Sequence, residues 1–598
     1  MFASLLDAVK VPPPSEGVQQ RRPRYAGEDT TSTSRREILG WYAYGMAAEV
    51  FAVCGVGSFL PITLEQLARE HGTLQTSHLP CVGDRTANNG TQPGENEQCL
   101  VGLLGLQMNT ASFAMYTFSL AVLVQALTLI SFSALADYEN NRKTLLMIFG
   151  FIGSATSMLF IFIAPPVFFL APIVVVIGVT CLGSSFVVLN SYLPVLVAND
   201  PSIQETKKEE GEELSELHRN EDASGWNSWG DEEDSLDGVA EDHQDPHAPN
   251  SSSPELQLST QISSKGVGLG YSAAVFVQCL SILLLVTLSK TPLAKASGTL
   301  PLRFVLLLVG IWWCAFTFVA RRLLRPRPGP ALSTSTPNGS RSRWRVWLRL
   351  MGFAWKSLWR TVKVAMQLRE VLLFLVAWFL LSDAMATVSG TAILFARTEL
   401  KMSTTAVGLL SITATLSGMT GAFLWPHVSR RFGLEPNHTI ILCIALFEII
   451  PLYGMLAYIP FIKNWGVIGL QQPWEIFPLA IVHGTVSGGL ASYCRSFFGL
   501  LIPPGSEAAF YALYAATDKG SSFIGPAIVG MLIDTTGQVR SGFFFIAVLI
   551  VLPIPLVWMV NADKGRREAV AMAQSLDTSH GGPAGDVQEA EGLLARHE

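Results

Sequence analysis

Long apolar runs recur along this chain, and they constrain its fold more than any other feature of the sequence. Two examples are residues 151–164 and 543–560, which read FIGSATSMLFIFIA and FFFIAVLIVLPIPLVWMV. A helix needs about 20 mostly apolar residues to cross roughly 30 Å of hydrocarbon. Only 15% of the residues are charged, whereas soluble domains carry roughly 25%. The sequence therefore predicts a polytopic membrane protein and argues against an ordinary soluble enzyme.

We predict twelve transmembrane helices, six before and six after a basic linker at 324–370. The apolar segments are 38–62, 108–133, 144–164, 167–197, 266–289, 301–323, 371–395, 404–428, 438–460, 476–500, 508–533 and 540–560. Only helices fit, because an unpaired backbone group in lipid costs several kcal/mol and the alternating pattern of a membrane β-barrel is absent. The predicted fold class is an all-α polytopic membrane protein with two six-helix halves, at 35–323 and 371–560.

Basic residues collect on one side of this predicted map, and this sets its orientation. With a cytosolic N-terminus, the cytosolic side receives the denser set of Lys and Arg residues: Arg35, Arg36, Arg142, Lys143, the block 321–369, Arg430, Arg431, Arg495, Lys564, Arg566 and Arg567. The other side receives scattered single charges. Because an excess of Lys and Arg marks the cytosolic loops of membrane proteins, we predict that both termini are cytosolic.

The loop at 63–107 carries two chemical signs of a non-cytosolic compartment. It holds the glycosylation sequon Asn89-Gly90-Thr91 and two cysteines, Cys81 and Cys99. Glycans are added, and disulfides persist, on the non-cytosolic face of a membrane. We therefore predict a luminal loop with a glycosylated Asn89, and we name Cys81 and Cys99 as a candidate disulfide pair.

Three segments have the composition of disordered polypeptide, with low hydrophobicity and many polar or charged residues. They are the Pro/Arg-rich N-terminus at 1–34, the acidic loop at 198–265 and the tail at 561–598. The predicted orientation places all three in the cytosol. A short helix through 562–576 is the only regular structure that we expect in the tail.

The basic linker contains a more informative pattern. Between 343 and 363, apolar and basic residues alternate at spacings of three and four, and they include Arg343, Trp344, Trp347, Met351, Trp355, Lys356, Trp359, Arg360 and Lys363. This pattern is typical of a basic amphipathic helix that lies on an anionic membrane leaflet. The same helix could instead pack beneath the transmembrane bundle, and the sequence leaves both arrangements open. A nucleic-acid partner is not expected, because anionic lipid is nearer to a helix between two spans.

No motif for soluble-enzyme chemistry is present. The sequence lacks the phosphate-binding loop G-x-x-x-x-G-K-[ST], the zinc motif H-E-x-x-H, the nucleophile motif G-x-S-x-G and any C-x-x-C pair. We therefore predict that the protein is not an enzyme and that it uses neither a cofactor nor a metal. The chain also carries no nucleotide-binding motif that would drive transport with ATP.

Ionisable residues inside the spans are the remaining candidates for function. Each costs about 2.5–3.5 kcal/mol near the bilayer centre and therefore needs a partner or a role. We assign six of them to a substrate or proton pathway: Glu49, Asp383, Glu448, His483, Asp518 and Lys519. A free amino acid suits such a cavity, since a carboxylate can bind its ammonium and Lys519 its carboxylate, while His483 or a carboxylate takes up protons. The alternative is that some of these charges only lock helices together.

The outline of six spans, a cytosolic linker and six more spans resembles the major facilitator superfamily. The superfamily's signature between the second and third spans is similar to Leu135-Ala136-Asp137 followed by Arg142 and Lys143 in this sequence. The resemblance implies a cytosolic gate in which Asp137 pairs with Arg142 and Lys143. This sequence departs from the usual pattern, because Ser133 stands in place of a glycine and the basic pair comes one residue late.

Three segments give a more specific resemblance, to the fungal autophagy-related protein 22 family of vacuolar amino-acid effluxers. They are 35–72, which begins RREILGWYAYGMAAEVF, 133–143, which reads SALADYENNRK, and 496–534, which includes IPPGSEAAFYALYAATDKGSSFIGP. The similarity covers nearly all of 35–570. It implies a multi-pass protein of the vacuole membrane that exports amino acids, leucine and other neutral ones among them, after autophagic degradation. We expect alternating access, with proton coupling as a hypothesis.

Two other functions stay open on the sequence alone. The acidic loop and the tail would suit a non-transporting membrane receptor or scaffold that acts through its cytosolic segments. A transporter of another small solute would use the same helices. Deletion of the acidic loop distinguishes the scaffold from a transporter, because only the scaffold needs that loop for its activity.

Overall fold

Helices make up nearly all of the chain that the structure describes, which confirms the predicted all-α fold class. The computed structural model describes residues 29–75, 79–82, 99–103, 105–136, 141–205, 254–291, 297–328, 340–503 and 507–579. Two residues with predicted roles, Asn89 and Asp137, lie outside these ranges, as does most of the acidic loop.

The N-terminal helices precede the linker. They are α1 (Arg35–Val50), a π-helix (Phe51–Phe59), α2 (Leu60–His71), α3 (Thr110–Ala136), α4 (Asn141–Leu159), α5 (Leu170–Ala198), α6 (Pro254–Ser289) and α7 (Leu300–Leu323), with short 3₁₀ turns at Phe160–Phe162 and Pro165–Val167. The first helical stretch continues to His71, beyond the predicted end near 62. Similarly, α6 begins at Pro254, within the segment predicted to be disordered.

The linker helix, α8, spans Ser340–Gln367. The C-terminal helices follow it: α9 (Arg369–Thr398), α10 (Thr404–Phe432), α11 (Pro436–Met455), α12 (Pro460–Trp465), α13 (Ile476–Leu501), α14 (Glu507–Ser521), α15 (Ile524–Thr536), α16 (Gly542–Val551), α17 (Pro553–Met559) and α18 (Ala562–Ser579), with 3₁₀ turns at Leu456–Tyr458, Pro473–Glu475 and Val539–Ser541.

Within the described residues, eleven helical stretches are long and apolar enough to cross a membrane. The remaining predicted span, 508–533, folds as two shorter helices, α14 with 15 residues and α15 with 13 residues. Neither is long enough to cross a bilayer alone, since about 20 residues are needed. The count of twelve and the division into two six-helix halves therefore stay predictions.

A small three-stranded sheet closes one end of the bundle, which we call the sheet end. Its antiparallel strands are β1 (Thr73–Leu74), β2 (Cys99–Leu103) and β3 (Leu106–Asn109), in the order β1-β2-β3. Cys81 and Cys99 form a disulfide beside it, with their Cα atoms 5.9 Å apart. The opposite end carries α8, and we call it the linker end. We did not predict a sheet, because its strands are too short to show periodicity.

Glycines bring α10 and α13 into direct backbone contact. A Cβ atom added to Gly418 would lie 3.5 Å from the Gly484 carbonyl oxygen. At Gly421, Gly484 and Gly488, an added Cβ would overlap the backbone of the facing helix. Small residues of this kind allow the close packing that drives helix association in lipid, where the hydrophobic effect is weak.

The N-terminal and C-terminal helices meet along three lines of contact. Helix α3 packs against α14 and α15, α6 packs against α10, and the first helical stretch packs against α9 and α10. The linker helix α8 packs against α3 on one side and against α9 and α14 on the other. It therefore bridges the two sets of helices at the linker end.

A buried ion pair fastens the linker end of the N-terminal helices. Arg327 donates to both carboxylate oxygens of Glu37, at 2.9 and 2.8 Å, and to the carbonyls of Asp29 and Thr31, at 3.0 and 2.7 Å. The Arg327 and Glu37 side chains are 1% and 0% exposed. Burial lowers the pKa of Arg327, but hydrogen bonding to Glu37 and the charges of Glu37 and Asp29 outweigh burial and raise it overall. The Arg327 guanidinium therefore stays charged, and the ion pair joins the segment before α1 to the segment after α7.

We predict that Arg327→Ala lowers the free energy of unfolding by about 3–5 kcal/mol, because it leaves the Glu37 carboxylate buried without its partner. Thermal unfolding of the purified protein in detergent measures the change. Arg325→Ala is the matched control, since Arg325 is exposed two residues away. Equal unfolding temperatures for the two variants would contradict the assignment.

Candidate transport pathway and gates

The predicted span 508–533 is interrupted between α14, which ends at Ser521, and α15, which begins at Ile524. Charged and polar side chains surround this interruption at the middle of the bundle. Asp383 on α9 accepts a hydrogen bond of 2.9 Å from the backbone N–H of Gly525, in the first turn of α15. Ser119 on α3 donates to the carbonyl of Phe523 at 2.6 Å. A carboxylate at a helix N-terminus satisfies a free N–H and complements the helix dipole. The structure thus uses Asp383, which is 2% exposed, to hold the start of α15.

Asp518 and Lys519 occupy the other side of the same interruption. Their side chains form an ion pair at 2.9 Å, although neighbouring residues on a helix usually point apart. Ser382 donates to the carboxylate and to the carbonyl of Asp518, and Ser521 and Ser522 donate to that carbonyl at 3.0 and 2.9 Å. The Lys519 side chain is still 43% exposed, so its ammonium remains accessible to a further anion.

Glu49 lies at the end of α1, where the chain changes into a π-helix. The π-helix covers Phe51–Phe59, and Leu60 at its end donates to the carbonyl of Gly55, five residues back. Glu49 is half-buried, and it has no hydrogen-bond or ion-pair partner among the described residues. Gly270 on α6 makes room for it, because an added Cβ would lie 3.0 Å from the Glu49 Cγ. Its carboxylate can therefore accept an external cation.

His483 and Glu448 have different surroundings. The Nε2 atom of His483 on α13 hydrogen-bonds with the hydroxyl of Ser389 on α9 at 3.0 Å, and its ring packs against Phe447. Glu448 is on α11, which packs mainly against α13, α16 and α17, away from the N-terminal helices. Its Oε2 atom is buried without a partner in the described part of the chain. Across the described residues, no group of three or more His, Cys, Asp or Glu residues is placed to hold a metal ion.

A polar cluster joins the N-terminal and C-terminal helices beside the π-helix. The hydroxyls of Ser58 and Ser411 lie 2.5 Å apart, and the Gln278 amide donates to Ser411 at 2.6 Å. These residues belong to the π-helix, α10 and α6, respectively. Gln278 is 0% exposed, and its Oε1 atom has no hydrogen-bond partner within the described residues. The cluster adds hydrogen bonds to the interface between the two sets of helices.

Hydrogen bonds between the same two sets of helices also close the sheet end. Asp534 at the end of α15 accepts from the backbone N–H of Asn109 and from the hydroxyl of Tyr116, both at 2.8 Å. Arg397 at the end of α9 donates to the Gln66 side chain on α2 at 3.2 Å. These contacts must break before a path can open between the helices at this end, so we call Asp534, Asn109 and Tyr116 the sheet-end gate.

Two residues of the predicted cytosolic gate, Arg142 and Lys143, lie at the linker end. Lys143 donates to the carbonyl of Leu324, which follows α7, at 2.6 Å. The Arg142 guanidinium lies over the Tyr192 ring, 5.8 Å from its centroid. Both contacts are made to the N-terminal part of the chain. Asp137 lies outside the described residues, so the predicted gate stays a prediction.

Several residues that connect helices in the structure were not singled out from the sequence. Asp534 follows an apolar run, in MLIDTTG, and Gln278 interrupts another, in VFVQCLSILLL. A lone polar residue in an apolar run was the available signal for both. Glu37 and Arg327 offered no such signal, because charged residues at span ends are common and their sequence separation is large.

Comparisons with known proteins identify the relatives of this chain. The family model described as "Vacuole effluxer Atg22 like" matches residues 33–570. The chain is 75% identical to "Autophagy-related protein 22-2" of Penicillium rubens, across 100% of both chains. It is 73% identical to "Autophagy-related protein 22-2" of Aspergillus fumigatus, over 98% of this chain and 99% of that one.

Solved structures show the same fold at low sequence identity. A D-xylose–proton symporter matches with a TM-score of 0.51 and 12% identity, covering 89% of this chain and 98% of that chain. A partially occluded inward open form of the xylose transporter XylE from E. coli matches with a TM-score of 0.50 and 11% identity, covering 88% and 96%. Both are transporters of the major facilitator type, so the fold that the sequence resemblance implied is confirmed.

We predict that Asp534→Ala opens the sheet end, because Asn109 and Tyr116 lose their shared acceptor. A Ser119→Cys reporter, in a chain whose six other free cysteines are replaced, should react at least roughly tenfold faster with a membrane-impermeant thiol reagent, since each of the two lost charge-assisted hydrogen bonds contributes about 1.5–3 kcal/mol.

Thr536→Ala is the matched control for the gate, because the Thr536 hydroxyl bonds with Leu532, Gln538 and Ser541, which all belong to the C-terminal part of the chain. The reagent is applied from the sheet-end side in both cases. Equal labelling rates in the two variants would show that Asp534 does not hold the gate shut.

Proposed function

This chain belongs to the vacuole effluxer Atg22-like family, and from that premise we propose that it exports free amino acids, leucine and other neutral ones included, from the vacuole lumen to the cytosol. It is a membrane transporter with a fold of the major facilitator type. The observation that carries the proposal is the family match over residues 33–570. The unpaired carboxylate of Glu49, on a membrane helix, supplies a chemical group for the ammonium of such a substrate.

The proposed substrate site uses two groups that the structure leaves accessible. Glu49 accepts the substrate ammonium, since it has no other partner among the described residues. Lys519 binds the substrate carboxylate with the part of its side chain that remains exposed beside Asp518. An amino acid carries both charges at once, so two sites of opposite sign select it over a sugar or a simple cation.

Other charged residues of the predicted pathway have supporting roles in this proposal. Asp383 and Asp518 hold the interruption between α14 and α15 through their contacts with Gly525 and Ser382. His483, bonded to Ser389, is the proposed proton carrier. Glu448 is on a helix that packs mainly against other C-terminal helices, so we place it at the margin of the pathway.

The proposed transport cycle alternates between two openings. With the termini cytosolic, the sheet end faces the vacuole lumen, where a disulfide such as Cys81–Cys99 persists. Amino acids enter after the sheet-end gate opens, and they leave at the linker end when it has closed again. The interruption at α14 and α15 lets one part of this span tilt without the other, as broken helices do in other transporters.

We predict that Glu49→Gln lowers leucine efflux from vacuolar vesicles roughly tenfold or more, because a neutral amide forms a weaker bond to an ammonium than a carboxylate does. The measurement is the initial rate of radiolabelled leucine release at matched protein levels. Glu435→Gln is the control, because the Glu435 side chain is 71% exposed near the linker end.

Normal efflux from the Glu49→Gln protein would remove Glu49 from the site while leaving the transporter assignment in place. If wild-type vesicles released no more leucine than vesicles without the protein, the proposed substrate itself would be wrong. A set of other labelled solutes would then be tested on the same vesicles.

We predict that leucine efflux slows when the pH gradient across the vacuolar membrane is collapsed, because protons flowing out of the acidic lumen would drive export. A protonophore collapses the gradient, and a potassium ionophore that removes only the membrane potential serves as the control. Efflux that is unchanged by the protonophore would exclude proton coupling.

A further inference from the structure

The linker helix α8 leaves one face uncovered, and we propose that this face binds the headgroups of anionic phospholipids. We call it the outer face and define it by Lys356, Trp359, Lys363 and Met366, all of which are exposed. Their spacing of three and four residues places them on one stripe of the helix. Trp359 and Met366 are 59% and 51% exposed, so large apolar groups stand between the cationic ones.

The opposite face of α8 is fixed to the bundle. Ala354 and Ala365 are buried there, and Leu358 and Val362 pack against the hydrophobic core. The indole N–H of Trp355 donates to the hydroxyl of Ser131 on α3 at 3.2 Å. One face of the helix therefore packs beneath the bundle, and the outer face is left for another partner.

The contact with Ser131 also indicates the level of α8 relative to the membrane. Ser131 belongs to the last turn of the apolar stretch Thr110–Phe132, which is long enough to cross a membrane. A helix that touches this turn lies at the edge of the hydrocarbon, which is the level of the headgroups. Trp, Lys and Arg favour that level, because their apolar stems stay in the interface while their polar ends reach the phosphates.

The charge of the linker favours an anionic lipid over a neutral one. From 321 to 369 the chain carries twelve Lys and Arg residues and no Asp or Glu. Each cation near an anionic leaflet adds favourable electrostatic binding free energy. The competing occupant is the chain's own acidic segment, 207–245. That segment is rich in Glu and Asp but offers few apolar groups to Trp359 and Met366, so the outer face matches a lipid surface better.

Lipid bound at this position acts on both sets of helices. Because α8 packs against α3 in the N-terminal set and against α9 and α14 in the C-terminal set, a ligand that holds α8 at the membrane surface also stabilises that bridge. The lipid composition of the cytosolic leaflet would therefore influence the stability of the conformation in which α8 bridges the two sets of helices.

The test is thermal unfolding of the purified full chain in mixed micelles, titrated with phosphatidylserine or with phosphatidylcholine. We expect phosphatidylserine to raise the unfolding temperature in a saturable way, as a ligand of the folded state does. The variant Lys356→Gln/Lys363→Gln should weaken the apparent affinity on the order of tenfold. Trp359→Ala should weaken it while all the charges are kept.

The matched control is Arg566→Gln/Arg567→Gln, which removes two exposed cations from α18 at the same end and should leave the affinity unchanged. An equal loss in that control, or no specific effect of phosphatidylserine on the wild type, would overturn the proposal. A shift that appears only after deletion of 207–245 would show that the acidic segment occupies the outer face, which also overturns it. The unfolding temperature is measured without any transport, so this test can fail or succeed independently of the proposed transport function.

Discussion

The hydrocarbon of a membrane offers no water to unpaired backbone groups, and the interruption between α14 and α15 has to meet this constraint inside the protein. Asp383 satisfies the N–H of Gly525, and Ser119 satisfies the carbonyl of Phe523. Both partners come from other helices, α9 and α3. Helices of both the N-terminal and the C-terminal set therefore stabilise the break, and these two contacts are also contacts between spans.

The same constraint separates the charged residues of the bundle into two kinds. Asp383 accepts a hydrogen bond from Gly525, Asp518 contacts Lys519 and Ser382, and these contacts account for the presence of both carboxylates in the membrane. Glu49 has no such partner among the described residues, so its cost of insertion is not offset within the part of the chain that the structure describes. A group of this kind is best explained by a ligand, and the proposed amino-acid substrate supplies the cation that it lacks.

The two ends of the bundle are held by different kinds of bond, and this difference fits a transporter that opens its ends in turn. At the sheet end, Asp534 joins the two sets of helices through two hydrogen bonds and Arg397 adds another, to Gln66, and such bonds can break and re-form. At the linker end, Arg327 and Glu37 are fully buried within the N-terminal part of the chain, and they keep that part rigid. The bridge between the sets at this end is the helix α8, whose position the adjacent membrane surface can influence.

The sequence by itself determined the features that depend on local composition. Runs of apolar residues predicted the membrane spans, the spacing of Trp and Arg predicted the amphipathic helix α8, and the unusual charges at Glu49 and Lys519 marked the candidate site. Each of these signals lies within one helix, where hydrophobicity and helical periodicity act over a few residues. Only the tertiary structure decided which charge meets which partner. Arg327 and Glu37 are 290 residues apart in sequence, and Tyr116 and Asp534 are 418 apart. Such pairs form because helices distant in sequence pack side by side, and a local sequence pattern does not predict which helices pack together.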